Sequence, residues 1–556
     1  HDGTLNHLTG RFEGMTVMEA RKAVVEALEE KGLLVKVDKN YKNRIGKCYK
    51  CGTIIEPMLM EQWFVDMQPL AERAIKVLET GEITFYPDSK REQLIGYLNN
   101  LRDWNISRQI AWGIPIPAFQ NVDDSDDWIF DDHVTEEIIE IDGKTYRRDP
   151  DVFDTWFSSS SWPYATLGYP DDKDFKKHYP LSLMETGGEI LYPWVSRMIM
   201  LGLYVTDQIP FKAVYIHGYV MAEDGSKMSK SIGNVVNAPE VIEKYGADAL
   251  RMGIIAGRVP AVNRGYDVRK IEDARNFCNK LWNIARYIED KVGDVKKIDA
   301  PEPKTSADHW VLSQLGKTIT SVTKDLDNYR FAEAYDTLYH FIWDDFADWY
   351  IEASKAQENT GVLAYTLQSI LMLLHPFAPF VTETIWQTLV WAPDSLLAVS
   401  EWPTAPETDK KQTNSFEEIK AIVAEARAIM KAVGVTKTSL LYDKAPVLAA
   451  NEALVCRLAH LTSVSESPAP VGVKLAQTKH EVRLAISDKD AAAYVEKLVA
   501  KREEQAKVIG QLQGRLKNKS YVDNAPKAIV EQTRAQLTEA ESQLDSLKHE
   551  MLRFGS

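Results

Sequence analysis

Residues Phe211-Lys212-Ala213-Val214-Tyr215-Ile216-His217-Gly218-Tyr219-Val220 read as a strand, and a helix starts after Pro239. Between them lies Gly225-Ser226-Lys227-Met228-Ser229-Lys230-Ser231-Ile232-Gly233-Asn234. Strand, long loop and helix in that order fit an open parallel sheet, in which ligands sit at the carboxyl ends of the strands. Small hydroxyl and glycine neighbours suit Lys227 and Lys230 to a mobile loop. Each ammonium is a compact point charge with rotatable donors. Two of them laid on a polyphosphate would stabilise negative charge building up in a transition state. A bare Lys-x-x-Lys also suits an ordinary basic surface loop; the longer string is more specific.

The 556 residues suffice for about three or four domains. Hydrophobic residues make up 45% and charged residues 26%, which reads as globular. No apolar run approaches the roughly 18 residues of a membrane span, and no N-terminal signal peptide is apparent. The opening His1 in place of Met suggests a processed, engineered or partial chain. A net charge of −15 argues against a protein that coats nucleic acid nonspecifically, although a local basic patch is compatible with it. Four cysteines suit a reducing compartment, with cytoplasm the default.

Thr16–Gly32 has helical spacing, and Leu33–Val37 reads as a strand. Cys48 and Cys51 form a Cys-x-x-Cys knuckle, half of what a structural zinc site needs. The other cysteines, Cys278 and Cys456, are far downstream, so two thiols in a turn are expected rather than zinc. A helix follows near Leu70–Leu78, then a tryptophan- and proline-rich stretch from Asp103 to Pro117. Asp149–Tyr164 is aromatic and serine-rich. Trp156 is either packing or a rigid wall of a small apolar pocket. Glu185–Met198 reads as a glycine turn leading into a helix, whose start can admit a ligand's anionic or hydroxyl groups. Trp194 on that helix is either a second wall or a core residue.

Residues 263–400 are strongly helical, with aromatic residues at helical spacing in Arg275–Asn283 and Phe341–Tyr350, as in the core of a bundle. Residues 413–488 read as a small mixed domain: Asn414–Val433 helical, Val473–Ala476 and Val482–Ile486 as strands. From Asp490 a seam of Leu498, Gln505, Ile509, Leu512 and Leu516 breaks at Tyr521–Pro526 and resumes as Leu537, Ala540, Leu544, Leu547, Met551 and Phe554. Two helices sharing it make an antiparallel coiled coil. Lys497, Lys501, Arg502, Lys507, Arg515, Lys517 and Lys519 make its first arm basic, either a solvated face or a contact for RNA.

The Lys-Met-Ser-Lys-Ser string resembles the second signature of the class I aminoacyl-tRNA synthetases. Trp104-x-Ile106-Ser107-Arg108-Gln109, with Trp112-Gly113-x-Pro115-Ile116-Pro117, resembles the return from the editing insertion in the Val/Ile/Leu group. Asp151-x-x-Asp154-Thr155-Trp156-Phe157-Ser158-Ser159 is similar to the valine-specific family. The isoleucine enzymes tend to have Trp-Phe-Asp-Ser-Gly there. Relatives often have Cys where Asn105 stands, and some add a zinc ribbon where Asp123–Arg148 holds no Cys; both departures weaken the case for zinc.

The resemblance implies an α/β plus all-α chain, with part of a Rossmann-like catalytic fold, a helical anticodon-binding bundle and a C-terminal antiparallel coiled coil. It divides as 1–102 (remnant of the editing insertion, with the knuckle), 103–262 (C-terminal half of the catalytic domain), 263–412 (anticodon bundle), 413–488 (small α/β domain) and 489–556 (tRNA-binding arm). It implies that Lys227 and Lys230 act in catalysis. ATP, with Mg2+ in the substrate complex, would lie on Lys227, Met228, Ser229, Lys230, Ser231, His217 and Gly218. Trp156, Trp194, Gly187 and Glu189 would hold the amino acid, many relatives having Asp at 189. Valine, ATP and tRNA(Val) are the implied partners, with no membrane, the intact enzyme a monomer, and valine–tRNA ligation in translation the activity. No His-x-Gly-His motif, the family's other ATP grip, occurs in the 556 residues, and no complete editing domain precedes Cys48. The expectation is a large C-terminal piece, inactive alone. The alternatives are an isoleucine-specific piece and a noncatalytic tRNA-binding derivative.

Overall fold

The computed structural model describes every residue except 1–2, 43, 49–50, 56–58, 231, 294–300, 390, 392–394 and 555–556. Helix α1 (Val17–Glu30) starts at a reciprocal Thr16–Glu19 capping box. The strand expected at 33–37 does not form. Among the described residues no second strand pairs with it: Leu33 N–H turns back to Leu28 O (2.8 Å), and Val35 is 98% exposed. Alternating apolar residues make a strand only where a second strand completes the ladder.

Helix α2 (Gln68–Thr80) ends at Gly81, which is left-handed (φ 76°) and donates its N–H to Val77 and Leu78. Strand β1 (Thr84–Tyr86) and helix α3 (Ser89–Leu98) follow. Strands β2 (Ala118–Asn121), β3 (Trp128–Phe130), β4 (Ile138–Ile141) and β5 (Lys144–Arg148) then make an antiparallel sheet in the order β3-β2-β5-β4. Helix α4 (Thr155–Ser159), strand β6 (Met184–Gly187), helix α5 (Ser196–Thr206) and strand β7 (Ala213–His217) come next. β6, β7 and β1 form a parallel sheet in that order, with Thr186 opposite Ile216 and Val214 opposite Phe85. Leu78, Phe85, Leu94, Met198, Ile199, Phe211, Val214 and Ile216 are buried together, so α2, α3 and α5 share one core with this sheet.

Beyond β7 the chain passes through strand β8 (Val220–Met221), helices α6 (Ala238–Tyr245) and α7 (Ala247–Ile255), and strand β9 (Arg264–Gly265). The bundle comprises α8 (Val268–Val292), α9 (Ser306–Asp327), α10 (Phe331–His340), α11 (Thr360–Leu374), α12 (Pro379–Thr388) and α13 (Lys410–Val433). α10 continues through a π-helical stretch, Phe341–Tyr350, that buries Phe346 and Tyr350. Asp308 is fully buried, yet it caps α9 and accepts from Tyr350 Oη (2.6 Å) and Asn359 Nδ2 (2.9 Å). A buried carboxylate persists only with its lone pairs occupied in this way.

The small domain has strands β10 (Ser439–Asp443), β11 (Ser463–Glu466), β12 (Val473–Lys474) and β13 (Glu481–Leu484), in the order β11-β10-β13-β12. One apolar cluster runs from Val241 to Ile486, so bundle and small domain are welded together. Helices α14 (Asp488–Lys517) and α15 (Lys527–Phe554) form the antiparallel hairpin. Ile509 and Leu512 meet Leu537, Ala540 and Leu544, and Gln505 Nε2 donates to the Ala540 carbonyl (3.2 Å). At the base Tyr494 Oη donates to Glu550 (2.5 Å), and Arg553 pairs with Glu425 of α13. No helix among the described residues is long and apolar enough to cross a membrane.

Candidate nucleotide and amino-acid site

β6 and β7 end side by side, Gly187 opposite His217. A Cβ at Gly187 would stand 2.3 Å from Tyr219 Oη, so only glycine lets that ring lie over the strand end. A Cβ at Gly218 would stand 1.9 Å from the Val262 carbonyl oxygen. The chain at 261–266 therefore lies directly against the segment after β7. Ala261 N–H donates to Ile216 O (2.7 Å), Tyr219 N–H to Asn263 Oδ1 (2.8 Å) and Tyr266 N–H to Met221 O (2.8 Å).

The lysine loop leaves this platform and is closed by its own side chains. Asp224 Oδ1 accepts from Ser226 N (2.9 Å) and Oγ (2.6 Å), which hold its carboxyl below the usual range. Asn234 Oδ1 accepts from Ser229 N (2.8 Å), while its Nδ2 donates to Ser226 Oγ (3.1 Å). Lys227 Nζ sits 2.9 Å from Glu189 Oε1 and 5.6 Å from the Tyr219 ring centre. The Glu189 carboxylate holds the Lys227 ammonium charged to higher pH than usual. Both side chains are mostly exposed, so the pair is easily exchanged for another anion.

The structure thus brings Gly187, Glu189, His217, Gly218 and Lys227 to one strand end. Met228 and Ser229 are half-buried in the loop, and Lys230 points into solvent. Ser231 lies outside the described residues. His217 Nδ1 meets the Glu185 carboxylate. Glu185, Tyr219 and Asn234 were missed in the sequence. Only the β6–β7 register and the loop's return reveal them, although Asn234 stood within the motif string.

The two tryptophans enter through other contacts. Trp156 lies on α4 and Trp194 on the turn before α5; both are half-buried against the sheet core. Trp194 Nε1 donates to Ser159 O (3.0 Å), fastening that turn to α4. Asp154 is buried and caps α4. It accepts from Trp104 Nε1 (3.0 Å) and Arg108 (2.7 Å), and Arg197 lies 3.7 Å over the Trp104 ring. The strings around 104 and 154 are thus two sides of one joint. Beside it an apolar cavity of about 540 Å3 is lined by Leu70, Phe153, Phe157, Tyr164 and Leu201 rather than by the tryptophans.

In the knuckle Cys48 N–H donates to Thr53 O (2.8 Å) and Gly52 N–H to Cys48 O (2.8 Å). Cys51 Sγ bonds Thr53 Oγ1 (3.2 Å), and this contact, with help from Cys48, lowers the Cys51 thiol to about 7. Among the described residues no three His, Cys, Asp or Glu side chains are grouped to hold a metal ion.

Residues 12–263 match the family described as tRNA synthetases class I (I, L, M and V), and 308–442 match the anticodon-binding domain of tRNA ligases. The chain belongs to the class I aminoacyl-tRNA synthetases. Within that class its likeness is to the valine–tRNA ligases, since residues 490–555 match the valyl tRNA synthetase tRNA binding arm. Among curated proteins, the valine–tRNA ligase of Fervidobacterium nodosum is 37% identical over 547 residues, covering 95% of this chain and 63% of the relative. That of Bacillus anthracis is 38% identical over 566 residues, covering 96% and 63%. That of Enterococcus faecalis is 36% identical over 588 residues, covering 100% and 66%. The chain spans a little under two thirds of the length of these relatives.

Proposed function

We propose that this chain supplies the lysine-loop side of an ATP-dependent valine activation site and the tRNA-holding parts of a valine–tRNA ligase. The observation that carries this is Lys227 meeting Glu189 over the carboxyl ends of two adjacent parallel strands, where open α/β sheets bind ligands. The valine carboxylate attacks the α-phosphorus of ATP, presented with its Mg2+, and pyrophosphate leaves. The terminal ribose hydroxyl of tRNA(Val) then takes the acyl group from valyl-adenylate, and AMP leaves.

Lys227 exchanges Glu189 for phosphate oxygens, and the solvent-facing Lys230 closes on the same charge. ATP lies on Lys227, Met228, Ser229, Lys230 and Ser231, and His217-Gly218 faces the adenine. Gly187 and Glu189 adjoin the adenylate, and Trp156 and Trp194 bound the aliphatic side chain. The division proposed for the chain is 1–102, 103–262, 263–412, 413–488 and 489–556, with tRNA on the third and last parts. The setting is the cytoplasm, and the intact enzyme is a monomer.

In the intact enzyme, Lys230→Ala should slow ATP–pyrophosphate exchange with valine on the order of 10²-fold, with a smaller effect on valine affinity. An unchanged rate would remove Lys230 from this role. The 556-residue chain holds one of two nucleotide grips and should not support exchange alone; robust turnover would contradict that. Valine and isoleucine compared in the same assay separate the two substrates, which differ by one methylene worth only about 1–3 kcal/mol.

A further inference from the structure

β6 and β7 run in register, Glu185 opposite Tyr215 and Gly187 opposite His217. Residues two apart on a strand share a face, so these four side chains stand on one side of the sheet. Thr186 and Ile216, on the other side, are buried. On the open side His217 Nδ1 donates to the Glu185 carboxylate, and both side chains are partly exposed. An ionised carboxylate can only accept, so the proton of this bond sits on Nδ1. A neutral imidazole held in this way carries a bare lone pair at Nε2.

That nitrogen has no hydrogen-bond partner among the described residues. It lies at the strand end, 3.4 Å from the point where a Cβ at Gly187 would stand. Tyr219 packs edge-on against the imidazole, with ring centres 5.8 Å apart and planes at 86°. Carboxylate and phenol ring together fix the plane of the imidazole, and a histidine oriented through one nitrogen presents the other in a defined direction. Without the carboxylate the proton is free to shift to Nε2, which turns the acceptor into a donor.

We propose that Glu185 is a positioning residue: it holds His217 as the Nδ1–H tautomer, so that Nε2 accepts a hydrogen bond from the 6-amino group of the ATP adenine. The proposal rests on the reading that His217-Gly218 faces the adenine, and it adds a residue and a rule of base choice to that reading. A bare lone pair selects a donor on the base edge. Adenine offers its 6-amino group there, whereas guanine presents a carbonyl oxygen at the same position and sets two acceptors against each other. Glu185 touches no substrate atom and acts only through His217.

Two measurements test it. Long-range 1H–15N spectra of the histidine-labelled 556-residue chain at pH 8, above the ordinary histidine range, read the tautomer; His217→Gln identifies the signal. His217 should carry its proton on Nδ1, and Glu185→Leu should move it to Nε2 in whole or in part. In the intact enzyme, ATP–pyrophosphate exchange with valine compares ATP with purine riboside triphosphate, which lacks the 6-amino group. The parent should prefer ATP about 10-fold in kcat/KM, and Glu185→Leu should cut that preference to about 2-fold, mainly through the KM for ATP. Glu185→Gln, whose amide oxygen still accepts from Nδ1, should keep most of it. A merely structural role would slow both nucleotides alike and leave their ratio unmoved. An Nε2–H tautomer in the parent, equal use of the two nucleotides by the parent, or a preference that survives Glu185→Leu would overturn the proposal and leave the activation reading standing; should Glu185→Leu not fold, the parent's tautomer still decides. A parent enzyme that does not exchange at all would sink the activation reading and this proposal together.

Discussion

Glu425 is the hinge pin of the C-terminal arm. It is 8% exposed and takes three donors at once: Ala476 N–H (2.8 Å), Gln477 N–H (2.7 Å) and the Arg553 guanidinium at the far end of α15. Glu425→Gln keeps the shape but changes the chemistry. The amide has one oxygen, so its NH2 must face one of the backbone N–H groups, and that buried donor loses its acceptor at a cost of about 1–3 kcal/mol. The second N–H loses its charge assistance, and Arg553 loses its counter-charge. Arg553 is about one third exposed, so water recovers part of that last loss. The sum is about 3–5 kcal/mol, as for breaking a buried pair from one side. Arg553→Met leaves the carboxylate its two backbone donors and should cost less, about 1–2 kcal/mol. Urea unfolding at pH 7, with limited proteolysis around Ser487, reads both: Glu425→Gln should expose the arm at lower denaturant than Arg553→Met. A Glu425→Gln cost below about 0.5 kcal/mol, or the reverse order, would refute Glu425 as the organiser of the joint.

Gly218→Ala drives a Cβ into the Val262 carbonyl and should destabilise the catalytic part by about 3 kcal/mol or more, seen as a fall in Tm with altered near-UV dichroism; a parent-like Tm would show that the 261–266 segment can yield. With its thiol at about 7, Cys51 should alkylate at pH 7 well before Cys278, which burial raises to about 12; Thr53→Val should slow Cys51, as peptide mass spectrometry would report. Bonds from Lys144, Asn121 and Tyr146 depress the Asp127 carboxyl to about 2. A depressed pKa gives stability that is present above the unfolded value near 4 and lost as pH falls through about 2. Asp127→Asn should therefore flatten the acid limb of the β2–β5 sheet's hydrogen-exchange profile between those values.

Local pattern carried much of the fold. The hairpin seam, the bundle aromatics and the strand–loop–helix around Lys227 are each written within a short window, where helical spacing or one motif decides. What escaped depends on distant partners. The β2–β5 sheet lies in an acidic stretch for which no strand was expected, because Asp127 finds Lys144 only after the sheet closes. Strands β10 and β11 sit between helices and gain their ladder from each other and from β13. The 33–37 segment carries strand-like residues but has no strand partner among the described residues. Trp63 Nε1 bonds Asp149 (2.8 Å) across 86 residues, a contact that no periodicity encodes.

The same division explains what the site residues could and could not say. Two lysines three residues apart in a glycine–serine loop suit a phosphate, and equally an ordinary basic surface loop. Where they point is set by residues with no visible chemistry of their own: Gly187, which admits the Tyr219 ring, and Gly218, which admits the Val262 backbone. Tyr219 then stands beneath Lys227, and Asn234 ties the loop's return to its start. The lysine that already touches the strand end is Lys227, while Lys230 is free to arrive with the ligand. On the proposed reading, that asymmetry gives ground-state placement of the loop to Lys227. It leaves Lys230 the better placed to act on charge that develops only as the phosphate reacts.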